Sequence, residues 1–216
     1  AALLRAVEAR FGDPAAFSTF SYGGMTDRGI FRRGLDLMGV PVTDALVDEL
    51  IVAYLDGLEA ALRAGPVWQL HPGAEALVRR VAALNHVAAG LGTGNVEAGA
   101  RAKIAPFGLN SLLPFGGFGC DGEARDTLIA TGARRGAERL GLPLADCDLV
   151  IMGDTPRDIA SAHANGGRCV AVATGGASRA RPQRWSSGPA SSTLVRTRRQ
   201  RLSGRSPLFR LADLIV

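Results

Sequence analysis

Between His71 and Thr174 short apolar runs alternate with stretches of helical period, and few chain folds tolerate that order. "HPGAEALVRR" reads as a helix, "HVAAGL" (86–91) as a strand, "VEAGARAKIAPFG" (96–108) as a helix and "LPFGGFG" (113–119) as a strand. "ARDTLIATGARRGAERLG" (124–141) follows as a helix, "DLVIMG" (148–153) as a strand, "PRDIASAHANG" (156–166) as a helix and "RCVAVAT" (168–174) as a strand. Helix and strand in turn predict an α/β fold with a doubly wound, parallel, Rossmann-like sheet. Residues 1–68 carry no convincing strand. Leu3, Val7 and Phe11 share one helical face, Ile30, Phe31, Leu35 and Met38 follow, and Thr43 is placed to cap a stripe of Leu46, Leu50, Tyr54, Leu58 and Leu62. The expectation is a small all-helical domain over 1–68, a Rossmann-like core over 69–178 and a distinct tail over 179–216.

Charge separates the tail from the rest. Residues 1–178 hold 16 basic and 19 acidic side chains, while 179–216 hold nine Arg against the single Asp213. Rich in Arg, Ser and Pro and without an apolar period, the tail is expected to be disordered until "LFRLADLIV". An Arg-rich arm suits a polyanion, but no aromatic interleaving or RNA-binding motif accompanies the charge, so a solvated tail is the better expectation and nucleic acid an improbable partner. The abrupt change near Arg179 also fits a shifted reading frame. Cys120, Cys147 and Cys169, with His71, His86 and His163, show no zinc spacing. Arg5, Glu8 and Arg10 stand where a signal peptide would be apolar, and no run is long enough to span a membrane. A cytoplasmic protein is expected.

In open α/β sheets ligands bind beyond the carboxyl ends of the strands. Two loops lie there. "GLGTGN" places Thr93, Gly94 and Asn95 ahead of a helix, where a hydroxyl and helix N-terminal N–H groups suit an anion. "GDTPRD" places Asp154 and Asp158 after a strand, where carboxylates suit a magnesium ion. Each has a plainer alternative. Thr93 and Asn95 would serve equally as turn and cap residues. Thr155, Pro156 and Asp158 also form a capping box with no ligand at all. Of the chain's 25 basic residues only Lys103 is Lys, which suggests a place where a compact ammonium is required. A surface Lys that has simply survived, or Arg125 as the cation in its stead, stays open.

These residues resemble the haloacid dehalogenase (HAD) superfamily, in its phosphoglycolate-phosphatase-like branch with a helical cap domain, from about residue 19 to 178. "LGTGN" is similar to the family's second motif, "GDTPRDIASAHANG" to its fourth, Lys103 to its third, and "SYGGMTDRGIFRRGL" to the segment leading into the cap. The resemblance implies a magnesium-dependent phosphatase of a small phosphorylated metabolite, acting through an aspartyl-phosphate. Asp154 would bind Mg2+, Asp158 would support it, Thr93 with Gly94 and Asn95 would bind the phosphoryl group, and Lys103 would neutralise it. A phosphonate-cleaving relative would need a Lys in the cap, and 1–68 has none. The family's first motif, DxDGT, is missing: Asp56-Gly57 in "YLDGLEAAL" falls within a helical stripe, with Tyr54 where the nucleophile should stand. The resemblance therefore implies an absent strand, an inactive chain, and unpaired inner edges on the strands ending at Thr93 and Asp154. A non-catalytic remnant, or a polyanion-binding protein using the tail, are the alternatives.

Overall fold

The computed structural model describes residues 2–65 and 69–172, together with the backbone of 208–209 and 214–215. Most of the tail, and the disorder and frameshift expected of it, lie outside the described residues. Helices α1 (Ala2–Phe11), α2 (Asp27–Leu37) and α3 (Asp44–Arg63) build the N-terminal part. Thr26 caps α2 by accepting from Gly29 N at 3.0 Å, and Thr43 caps α3 by accepting from Leu46 N at 3.2 Å. The buried face of α3 comprises Val47, Leu50, Ile51, Tyr54 and Leu58, so the expected stripe is confirmed in its middle and shifted at its ends. Asp56-Gly57 lies inside this helix. Phe17, Phe31, Leu35 and Val47 are fully buried in the cluster that joins the three helices.

Strand β1 (Gln69–Leu70) and helix α4 (Ala74–Ala82) lead into β2 (Gly90–Gly92), α5 (Glu97–Ile104), β3 (Gly116–Gly117) and α6 (Arg125–Leu140). Then come β4 (Val150–Gly153), α7 (Pro156–Ala164), β5 (Arg168–Ala171), β6 (Leu208–Phe209) and β7 (Leu214–Ile215). The strands are shorter than their apolar runs suggest. The first part of "HVAAGL" is a turn in which Val87 N donates to Leu84 O at 3.1 Å. Helix α5 stops at Ile104 because Pro106 has no N–H to donate, and a 3-10 turn over Ala105–Phe107 finishes it.

The main sheet has the order β3-β2-β7-β4-β5. β2 pairs parallel with β3, and β4 with β5, the latter over four residue pairs from Val150↔Arg168 to Gly153↔Ala171. The centre departs from the expected parallel sheet. β7 lies between β2 and β4 and runs antiparallel to both, with Leu214 opposite Leu91 and Met152, and Ile215 opposite Gly90 and Ile151. The inner edges expected to be unpaired are thus paired by the chain's own C-terminal strand. Buried backbone N–H and C=O groups must find partners, and a strand of either direction supplies them. β6 pairs parallel with β1 away from this sheet. Side chains alternate across β4: Met152 packs with the cluster of Val78, Leu91, Ala100 and Ile104, whereas Ile151 packs with Leu128, Ile129 and Ala162.

Candidate active site

β7 is antiparallel to both β2 and β4, so those two strands run the same way and their C-terminal loops emerge at one end of the sheet. A cleft of about 530 Å3 opens there. Its walls are Thr93, Gly94 and Asn95 after β2, Asp154, Thr155 and Asp158 after β4, Arg125 at the start of α6, and the segment Phe20–Met25. Of the seven candidates taken from sequence, counting Arg125, six line one cavity; Lys103 does not.

The Thr93 loop is locked from both sides. Thr93 is buried, its N–H donates to Gly117 O at 2.9 Å, and its hydroxyl oxygen accepts from Asn95 N at 3.2 Å. A hydroxyl used as acceptor keeps its own proton to donate. Gly94 is required by close approach, since a Cβ there would overlap Met25 O. The side chain of Asn95 joins two buried charges. Its Nδ2 donates to Asp27 Oδ1 at 3.0 Å, and its Oδ1 accepts from Lys103 Nζ at 2.9 Å. Asp27 Oδ2 accepts from Val96 N at 2.9 Å, so a carboxylate of the chain itself occupies the N-terminus of α5. Lys103 Nζ also sits 5.8 Å from the centre of the Tyr54 ring. Burial, and then the charge of Asp27, push the Tyr54 hydroxyl above its ordinary pKa. Of the two candidate cations, Arg125 lines the cleft and Lys103 reaches it through Asn95.

Asp27 escaped the sequence reading. Thr followed by Asp reads as an ordinary helix start, which it also is, and nothing local shows that the Asp is buried against a loop 68 residues away.

In the second loop the two acids have different surroundings. Thr155 is the N-cap of α7 and Pro156 its first residue; Thr155 Oγ1 accepts from Asp158 N at 3.3 Å, while Asp158 Oδ2 accepts from Thr155 N at 2.9 Å and Thr155 Oγ1 at 2.7 Å. Asp158 Oδ1 accepts from Arg125 Nη2 at 2.7 Å. The capping box foreseen as the plainer alternative is therefore present, reinforced by an ion pair whose side chains are only 12% and 2% exposed. Gly153 is needed because a Cβ there would overlap the Asp158 side chain. Asp154, half-buried, lines the cleft.

Among the described residues no three His, Cys, Asp or Glu side chains gather closely enough to hold a metal by themselves. Magnesium does not need such a cage: it commonly uses one or two carboxylates and completes its shell with water and phosphate oxygens. Asp154 fits that mode as the carboxylate facing the cleft. Asp158, with both oxygens engaged by Arg125 and Thr155, fits the part of holding the loop in place. Among the described residues no helix is long and apolar enough to cross a membrane.

No curated protein matches the chain significantly. Residues 125–195, from Arg125 through α6, β4, Asp154, Asp158 and α7, match the model of a hydrolase family described as HAD-hydrolase-like.

Proposed function

We propose that the cleft is the phosphate- and magnesium-binding half of a HAD-type phosphatase for small organic phosphate monoesters. The observation that carries it is the meeting of the Thr93–Asn95 loop with Asp154 and Arg125 at one end of the sheet. The HAD-like match over the second loop supports it. On this proposal residues 1–68 form the cap domain of a doubly wound, cytoplasmic enzyme.

The Thr93 hydroxyl donates to a phosphoryl oxygen, and the Thr93–Asn95 loop surrounds it. Arg125 presents positive charge at the cleft wall while keeping Asp158 in place, and Lys103 adds charge from behind Asn95. Asp154 would hold magnesium, which when bound supplies Lewis-acid neutralisation of phosphoryl charge. Positioning and charge neutralisation do most of the work in phosphoryl transfer. The attacking carboxylate of an aspartyl-phosphate route is not found in the 216 residues, which contain no DxDGT. The chain by itself should therefore bind and not turn over.

Titration calorimetry of the 216-residue chain with inorganic phosphate, with and without MgCl2, tests the binding half. Binding that requires magnesium and is lost in Asp154→Asn and Thr93→Val is expected. The catalytic half is tested by adding an apolar strand ending in DxDGT ahead of Ala1 in a chain ending at Asp213, so that it can take the place of β7 between β2 and β4, and measuring p-nitrophenyl phosphate hydrolysis. No phosphate binding in the first experiment, or turnover by the unextended chain, would remove the proposal.

A further inference from the structure

The buried polar chain behind the Thr93 loop joins residues of three helices. Asp27 and Thr26 open α2, Asn95 and Val96 open α5, Lys103 sits near the end of α5, and Tyr54 belongs to α3. Asp27 is 4% exposed and Lys103 9%. Buried charges of opposite sign are tolerated when hydrogen-bonded and paired, and here the pairing runs through one amide.

Asn95 has two distinguishable ends, a donor nitrogen and an acceptor oxygen. With the nitrogen toward Asp27 Oδ1 (3.0 Å) and the oxygen toward Lys103 Nζ (2.9 Å), both contacts are charge-assisted. The reversed amide would face oxygen to carboxylate and NH2 to ammonium. Asp27 therefore selects the orientation that gives Lys103 its acceptor. The same residue grips the loop backbone twice more: Asp27 N donates to Gly94 O at 2.8 Å, and Val96 N donates to Asp27 Oδ2 at 2.9 Å. The Tyr54 ring beside the ammonium adds a wall from α3.

We propose that Asp27 is a positioning residue of the phosphate-binding loop: through Asn95 it sets the place of the Lys103 ammonium, so the loop is competent only while α2 and α3 are docked on it. The inference rests on the phosphate function proposed above. It assigns to the helical part a share in the electrostatics of the site.

Lys103 is the sole Lys of the chain, so 15N-lysine labelling gives one Nζ resonance. Asp27→Asn keeps the size of the side chain and removes its charge. It is expected to move the Nζ resonance, speed exchange of the ammonium protons, and weaken inorganic phosphate binding in the presence of magnesium by about ten-fold or more, the loss of one hydrogen bond to a charged group. Thr43→Ala controls for simple destabilisation, because it removes the cap of α3 and is expected to leave the Nζ resonance in place. If Asp27→Asn does not fold, Asn95→Ala breaks the same bridge from a half-exposed position and carries the same expectations.

An unmoved Nζ resonance in a folded variant overturns the inference, as does unchanged phosphate affinity with a moved resonance. A Thr43→Ala protein that shifts the resonance as far as Asp27→Asn does also overturns it. Failure of the wild type to bind phosphate overturns the proposed function, and with it the phosphate role of Asp27.

Discussion

Replacing Asp158 by Ala should be among the most damaging single changes in the core. The carboxylate accepts from Arg125 Nη2 at 2.7 Å, Thr155 N at 2.9 Å and Thr155 Oγ1 at 2.7 Å, and its side chain is 2% exposed. Losing the reciprocal half of a capping box costs about 1 kcal/mol. The larger part comes from Arg125, whose guanidinium would keep its burial and lose this carboxylate. Breaking a buried pair from one side costs about 3–5 kcal/mol, and the 12% exposure of Arg125 beside the cleft places it near the lower end, about 3 kcal/mol.

The sum, about 4 kcal/mol, is a large share of the ~5–15 kcal/mol that holds an ordinary domain together. It corresponds to a fall of roughly 8–16 °C in Tm for a chain of this size. Urea titration and thermal melts followed by circular dichroism measure both. Arg125→Ala and the double variant complete a cycle whose coupling should exceed about 1 kcal/mol. Asp158→Asn, which keeps an oxygen for Thr155, should fall between wild type and Asp158→Ala. A loss below about 0.5 kcal/mol for Asp158→Ala, the level of an ordinary surface change, would show that the box and ion pair do not form.

Lys103→Arg should weaken magnesium-dependent phosphate binding severely, since a planar guanidinium does not fit the compact site between Asn95 Oδ1 and the Tyr54 ring; calorimetry measures it, and wild-type affinity would remove Lys103 from the site. A chain ending at Asp213 should lose monomer content by light scattering, because the inner edges of β2 and β4 lose β7 and become open to other chains. Cys120, exposed, should react first with a thiol reagent, whereas Cys169 should wait for unfolding, being 2% exposed with its thiol pushed up to about 11 by burial and by Asp158. Its ordinary value is 9.0, so the unfolded thiol ionises first and stability should fall as pH rises from about 9 toward 11, an effect absent from Cys169→Ala.

The features legible in the sequence are those that neighbouring residues decide. Thr43 followed by a stripe of period 3.6 is a local instruction, and α3 obeys it. Thr155, Pro156 and Asp158 spell a helix start in consecutive residues, and α7 starts there. The strands were less legible because two to four residues suffice once a neighbour supplies the pairing, so "HVAAGL" and "LPFGGFG" mark the place of β2 and β3 without their length.

The direction of β7 was not legible at all. An apolar "LIV" carries no sign of which edges are vacant, and the edges belong to β2 and β4, more than 60 residues earlier. The candidate site divides in the same way. Asp154 and Thr93 are conspicuous because each follows an apolar run, and Asp158 and Asn95 because they stand in the same short loops, a pattern confined to a few residues. Asp27 is inconspicuous because its role exists only when α2 meets the start of α5. A buried acid of this kind can be recognised only through its partner, and Lys103 was the available signal: a chain that uses Arg at every other basic position keeps one ammonium, and a buried ammonium requires a carboxylate nearby. The structure places that carboxylate, Asp27, one amide away from the ammonium.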